Sequence, residues 1–413
     1  MSAPAISPTA ATTHRDPGTL GMCAVLCTWA WFLYSFNPAV PFLQNEMGLT
    51  AGQAGLDGTA SAAGSVLAAL VLPRLAGVLP RRWLLTGTLC LFGIGVAGLM
   101  GAHSLPWTLT GVLVLTIGGN ASIAVANAGL VMRHGARSHA VIAEANGIAA
   151  ALGVVATLTL AWTLGSGWGW QPAVAGGIAI AALAAVAVAR YWCTDSPMDL
   201  PAQTPSRRRR PAPVAPPVRT RGVFIAYVVL LVCGIGLEFC TTYWGAGFVL
   251  ERTGASAGLS TAIAAGFLLG MAISRIAGGR LTAWMEPSAI VGCACVLSIV
   301  GWALLWTSRA PVPALLGLVV LGLGIGVLYP MGVSLMSAHA PISPDRTQAV
   351  ATLVGGLAAG IAPLALGSLA DAVGTWLAFL VVPLFSVVGV GATLAARALT
   401  ARVRSAQPPV LAP

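Results

Sequence analysis

The sequence predicts an all-α membrane protein of twelve transmembrane helices in two pseudo-symmetric six-helix bundles. Composition, the spacing of apolar runs and an internal repeat predict it. Hydrophobic residues make up 57% of the 413-residue chain and charged residues only 8%, where a soluble domain carries about 25% charged residues. A soluble chain of this length needs far more polar surface to cover its core. The apolar residues fall into runs of about 20, the length that crosses a bilayer, and the runs form two blocks around one polar stretch.

Taken in order, residues 1–19 read as a disordered cytoplasmic tail, because no basic region precedes a cleavable apolar segment there. An N-terminal bundle is expected over 20–190, with spans near 20–42, 53–75, 83–102, 107–131, 139–163 and 171–190. A basic cytoplasmic linker follows over 191–221, with Pro201, Pro205, Pro211, Pro213, Pro216 and Pro217 among its residues and the run Arg207-Arg208-Arg209-Arg210. Its plainest role is to hold that loop inside, with anionic lipid binding as the rival. A C-terminal bundle is expected over 222–397, with spans near 223–249, 257–279, 288–307, 312–336, 348–369 and 374–396, and a cytoplasmic tail over 398–413.

All 21 basic residues are arginine. With the N-terminus inside, Arg15, Arg74, Arg81, Arg82, Arg133, Arg137, Arg190, the linker arginines, Arg280, Arg346, Arg397, Arg402 and Arg404 face the cytoplasm; only Arg252 and Arg309 face out. A shift of one span reverses that bias, so an even count of twelve is expected. The net charge of +10 therefore marks topology and not nucleic-acid binding, for which basic residues cluster on one compact domain.

The halves repeat one another at an offset of about 200–210 residues. Pro73-Arg74-Leu75-Ala76-Gly77 is echoed by Ser274-Arg275-Ile276-Ala277-Gly278, and Gly48-Leu49-Thr50-Ala51-Gly52 by Gly254-Ala255-Ser256-Ala257-Gly258. Thr50 and Ser256 there suit helix N-caps. Arg137-Ser138-His139-Ala140-Val141 is echoed by Arg346-Thr347-Gln348-Ala349-Val350. Duplicated halves with a binding site between them are a common transporter plan.

On these features, with Arg81-Arg82-Trp83-Leu84-Leu85 after span 2 and Gly367-Ser368-Leu369-Ala370-Asp371-Ala372-Val373-Gly374 closing span 11, the chain resembles the major facilitator superfamily over its length, tails and linker aside. The second half, with Gly236-Leu237-Glu238, Trp244 and Gly270-Met271-Ala272-Ile273-Ser274-Arg275, is similar to the sugar-permease (fucose-permease-like) branch. The resemblance implies alternating access in the cytoplasmic membrane and, from the branch, proton symport of a small polar, sugar-like solute. Pro73, Gly77 and Pro80 stand where the family's loop motif carries an Asp and two Gly, which puts an Asp-based gate lock in doubt. The Gly-Pro motif of drug/proton antiporters is not evident in Gly147 to Thr163. An exporter of hydrophobic drugs or metabolites stays the alternative.

Polar groups within the bilayer are costly and carry the functional expectations. Glu238 is expected past the midplane of span 7 toward the outside, with no arginine at matching depth. An isolated carboxylate there favours its neutral form and gains a charge when wetted, as proton coupling needs. Its rival role is a structural hydrogen bond. Asp57 in span 2 is a second proton-coupling candidate, or a favourable charge near a helix N-terminus. Glu144, Arg137 and Arg275 are expected at a cytoplasmic gate, with snorkelling as the rival for Arg275. Asp371 reads as a loop cap. The solute set is Tyr34, Asn37, Asn120, Asn127, Asn146, Tyr243, Trp244 and Tyr329, since amides and rings suit a hydroxylated solute. Helix–helix adhesion is the competing role for each.

Without lysine the chain has no Walker A or Schiff-base residue. No HExxH occurs, and the Cys23/Cys27 and Cys293/Cys295 pairs lack histidine companions. No enzyme activity, cofactor, metal or nucleic-acid partner is expected. The expected partners are a small-molecule substrate, protons and the lipid bilayer, with the monomer as the functional unit.

Overall fold

A computed structural model describes residues 17–134, 138–191, 220–342 and 344–405. Arg137, the Arg207–Arg210 run and most of the expected linker lie outside the described residues. Twelve helices are long and apolar enough to cross a membrane. Spans 1 to 6 are Pro17–Met47, Ala51–Ala76, Arg81–Met100, Leu105–His134, Glu144–Gly165 and Gln171–Tyr191. Spans 7 to 12 are Arg221–Thr253, Ala257–Leu281, Pro287–Thr307, Pro311–Ala338, Arg346–Val373 and Thr375–Val403. Pro17 and Ser405 thus end on one membrane face, called here the terminal face.

The repeat read from the sequence is a structural repeat. Thr50 accepts the Gln53 N–H at 3.1 Å, and the Gln53 side chain accepts the Thr50 N–H at 3.0 Å, a complete capping box. Ser256 caps span 8 the same way, accepting the Leu259 N–H at 3.3 Å. Glycines place the helices of each bundle at equivalent contacts. Gly95 packs on Leu115 as Gly301 packs on Leu321. Gly111 meets Leu99 as Gly317 meets Leu305, and Gly118 meets Thr88 and Phe92 as Gly324 meets Ala294 and Ser298. All these pairs are separated by one constant interval along the chain. In lipid, where apolar burial does not drive helices together, such close backbone approach supplies the packing energy.

Prolines shape two of the helices that border the central site. Span 1 passes through a 3-10 turn at Asn37–Ala39, flanked by Pro38 and Pro41. Span 10 breaks between Ile325 and Leu328. Each proline lacks an N–H and frees the carbonyl four residues earlier. Pro38 frees that of Tyr34, which accepts from Thr157 Oγ1 at 2.7 Å.

The bundles meet mainly in the half remote from the terminal face. Span 2 lies on span 11, with Gly52 against Ser368, Gly55 against Leu364, Gly58 against Pro363 and Ala62 against Gly360. Span 5 lies on span 8, with Gly165 against Gly258.

Candidate functional site

Glu238 occupies the middle of span 7, not the outer position expected, because that helix continues to a left-handed Gly254 cap at φ 63°. Its carboxylate is held on both sides. Tyr34, from the other bundle, donates its hydroxyl to Oε1 at 3.2 Å. Arg275 Nη2 lies 3.5 Å from Oε2. The expectation that no arginine reaches this depth is therefore corrected. Arg275 starts less than two turns from the terminal-face end of span 8, and its long side chain extends back to the midplane carboxylate. The guanidinium is fixed a second time, since its Nε donates to the Gly326 carbonyl at 3.3 Å. That carbonyl stands four residues before Pro330 and so has no helical N–H to receive. A proline in one span thus supplies the acceptor that positions a cation from another. Tyr329, from span 10, lies within electrostatic range of the same pair and is 45% exposed.

A second group lies nearer the face remote from the terminal face, where the contacts of spans 2 and 11 and of spans 5 and 8 seal the bundles together. Asp57 is buried at 1% exposure, and neither carboxylate oxygen has a hydrogen-bond partner among the described residues. The Tyr243 side chain adjoins Asp57 and Ser61, so spans 2 and 7 bring these groups together across the bundle interface. Asn37 Nδ2 and Asn127 Oδ1 are also buried without a partner among the described residues.

The remaining expected solute residues are engaged elsewhere. Asn120 donates to Ser65 Oγ at 3.1 Å and to the Thr116 carbonyl at 3.2 Å, tying span 4 to span 2. Asn146 is exposed and donates to the Ile142 carbonyl of its own helix at 2.8 Å. Trp244 is buried and donates to the Pro363 carbonyl at 2.9 Å. Glu144 is exposed near the terminal-face end of span 5.

Asp371, expected as a cap of its own loop, bonds instead to the other bundle. Its Oδ1 accepts the Ala51 N–H and its Oδ2 the Gly52 N–H, both at 2.7 Å. A carboxylate of one bundle so caps the first turn of span 2 in the other, where free N–H groups and the helix dipole favour an anion. The equivalent contact between spans 5 and 8 is made by Gly165 and Gly258 without a charge. The sequence held one signal for this clasp: an acid closing span 11, as a helix N-terminus opens span 2.

A two-bundle, membrane-spanning carrier with a polar centre is the class these features define. The profile of the Major Facilitator Superfamily matches residues 20–341, and the chain belongs to that family of membrane transporters. No curated protein matches it at the sequence level. Among solved structures, it is similar to a bacterial homolog of the human lysosomal transporter Spinster in an inward-facing, occupied conformation. The TM-score is 0.73 at 13% identity, covering 95% of this chain and 98% of that one. A mutant of the nucleoside transporter NupG matches with TM-score 0.72 at 13% identity, covering 92% and 98%. A proton-dependent oligopeptide transporter matches with TM-score 0.71 at 11% identity, covering 94% and 99%.

Proposed function

We propose that the protein is a secondary active transporter of the cytoplasmic membrane that carries a small polar, sugar-like solute with protons by alternating access. The observation that supports it most is the Tyr34–Glu238–Arg275 cluster at mid-depth between the bundles. Ionised Glu238 attracts Arg275 and accepts from Tyr34 of the opposite bundle. A proton on Glu238 removes the attraction and leaves Arg275 free to meet solute, so proton occupancy and bundle contact change together. Arg275 acts in this reading as the partner that senses the charge of Glu238, and not as a terminal-face gate. Asn37, Asn127, Tyr243 and Tyr329 supply polar and ring contacts to the solute, and Asp57 is a second proton site wetted when spans 2 and 11 part. With eleven described arginines at the terminal-face ends of the spans, Arg275 aside, and only Arg252 and Arg309 toward the other face, that face is cytoplasmic, and the conformation is inward-open.

The second reading, a proton antiporter exporting hydrophobic drugs or metabolites, gains from Asn120 and Asn146, whose amides are spent on protein carbonyls and Ser65. A thermal-shift screen of the purified protein at two pH values decides between them. Stabilisation by sugars or polyols, stronger at low pH, is expected for symport. Stabilisation by lipophilic compounds alone, stronger at high pH, overturns symport in favour of export.

A further inference from the structure

We propose that the membrane-facing groove between spans 7 and 12, at the terminal face, is a binding site for an anionic phospholipid. The groove has a volume of about 440 Å³ and is lined by Gly222, Ile225 and Val229 of span 7 with Val388, Gly391 and Leu399 of span 12, joined by further alanines. No polar side chain lines it. Its floor is open because of glycine: a Cβ added at Gly391 would meet nothing within 4 Å. Its narrow end is where a Cβ at Gly222 would stand 3.1 Å from Leu399 Cδ1.

The charge at that end selects the occupant. Arg221 directly precedes Gly222 and shares the helix face of Ile225 and Val229, at spacings of four and eight. Arg402 follows Leu399 by one turn and shares the face of Ala395 and Val388, at spacings of seven and fourteen. Both arginines are exposed, and both end an apolar slot at the depth where acyl chains give way to headgroups. An acyl chain fits the slot, because the bilayer offers nothing polar at that depth. A phosphate fits guanidinium groups at this end, since arginine binds phosphate oxygens in bidentate fashion. A zwitterionic lipid shares the chain but not the net charge, so headgroup preference is the signature of the site.

The test is native mass spectrometry of the full chain in detergent micelles carrying equal amounts of phosphatidylglycerol and phosphatidylcholine with matched chains. The wild type is expected to retain phosphatidylglycerol in preference to phosphatidylcholine. Arg221→Gln and Arg402→Gln should each lower that preference roughly fivefold, following the ~1 kcal/mol assigned to an arginine at an anionic surface. Gly391→Leu, whose Cβ would meet nothing within 4 Å, places a side chain in the groove and should lower retention of both lipids. Equal retention of the two lipids by the wild type overturns the proposal, as does wild-type phosphatidylglycerol retention in Gly391→Leu with unchanged thermal stability. A dimer that Gly391→Leu dissolves also overturns it, since a second copy would then be what covers the groove. Soluble glycerol phosphate should not compete; if it does, the arginines bind free phosphate and the groove is not the site.

Discussion

The chemistry of this chain rests on side chains that the bilayer penalises unless they are matched. Glu238 is matched twice, by a hydroxyl from the other bundle and by a guanidinium from its own. Glu238→Gln keeps the side chain's size and its acceptor for Tyr34 but removes the proposed proton site. In proteoliposomes, accumulation driven by a pH gradient should be abolished while exchange down a solute gradient stays measurable; undiminished accumulation would remove Glu238 from the coupling role. Asn120 belongs to the other category, because its amide joins spans 4 and 2 through Ser65. Asn120→Ala should cost stability of about 0.6 kcal/mol, the mean for an interhelical hydrogen bond in a membrane, with substrate affinity unchanged in parallel thermal and binding titrations. Glu238 was legible as a lone acid in an apolar run. Its pairing with Arg275 was not, because pairing depends on helix rotation and on how far a long side chain reaches. The free Gly326 carbonyl that holds Arg275 could have been read from Pro330 four residues later. Asn146 shows the converse: an amide in an apolar span whose donor turns back to its own helix.

At the scale of elements, the fold was legible because hydropathy sets span length and the arginines set the count. The N-caps at Thr50 and Ser256 formed as the repeat implied. What hydropathy cannot encode is which spans touch across the bundle interface, since lipid-facing surfaces and most of the protein-facing ones are alike apolar. The clasp of Asp371 on span 2 is such a contact, made between residues far apart in the chain. Both of its hydrogen bonds are short and charge-assisted, but the group is solvent-exposed, so screening leaves the clasp worth about 1 kcal/mol. Asp371→Asn retains one acceptor oxygen and loses the charge that favours the helix N-terminus. The sealed state should lose population by a few-fold, read as faster labelling of a cysteine placed at Asp57 by a membrane-impermeant thiol reagent added from the sealed side. Unchanged labelling would mean that the glycine contacts alone hold the seal.

For the whole molecule, the repeat and its one charged departure explain how a single chain can present a site to two sides. Equivalent glycine contacts make each bundle a rigid unit, and the bundles touch through two equivalent seams, span 2 on span 11 and span 5 on span 8. A pair of rigid bodies hinged through equivalent seams can rock about the central cluster, closing one end as the other opens. The seam of spans 2 and 11 must then separate in every cycle. A Cβ at Gly52 would lie 2.9 Å from Ser368 Oγ, about the separation between a Cβ and the far sulfur that an S–S bond of roughly 2.05 Å sets. In a background without other cysteines, Gly52→Cys with Ser368→Cys should therefore cross-link on oxidation and stop transport, with recovery on reduction, while either single variant transports under both conditions. The central Tyr34–Glu238 bond lies well below this seam, so solute binding from the terminal face should persist in the cross-linked protein. Loss of transport with binding retained is the outcome that only a moving seam produces; continued transport in the cross-linked protein would show that the seam stays closed throughout the cycle.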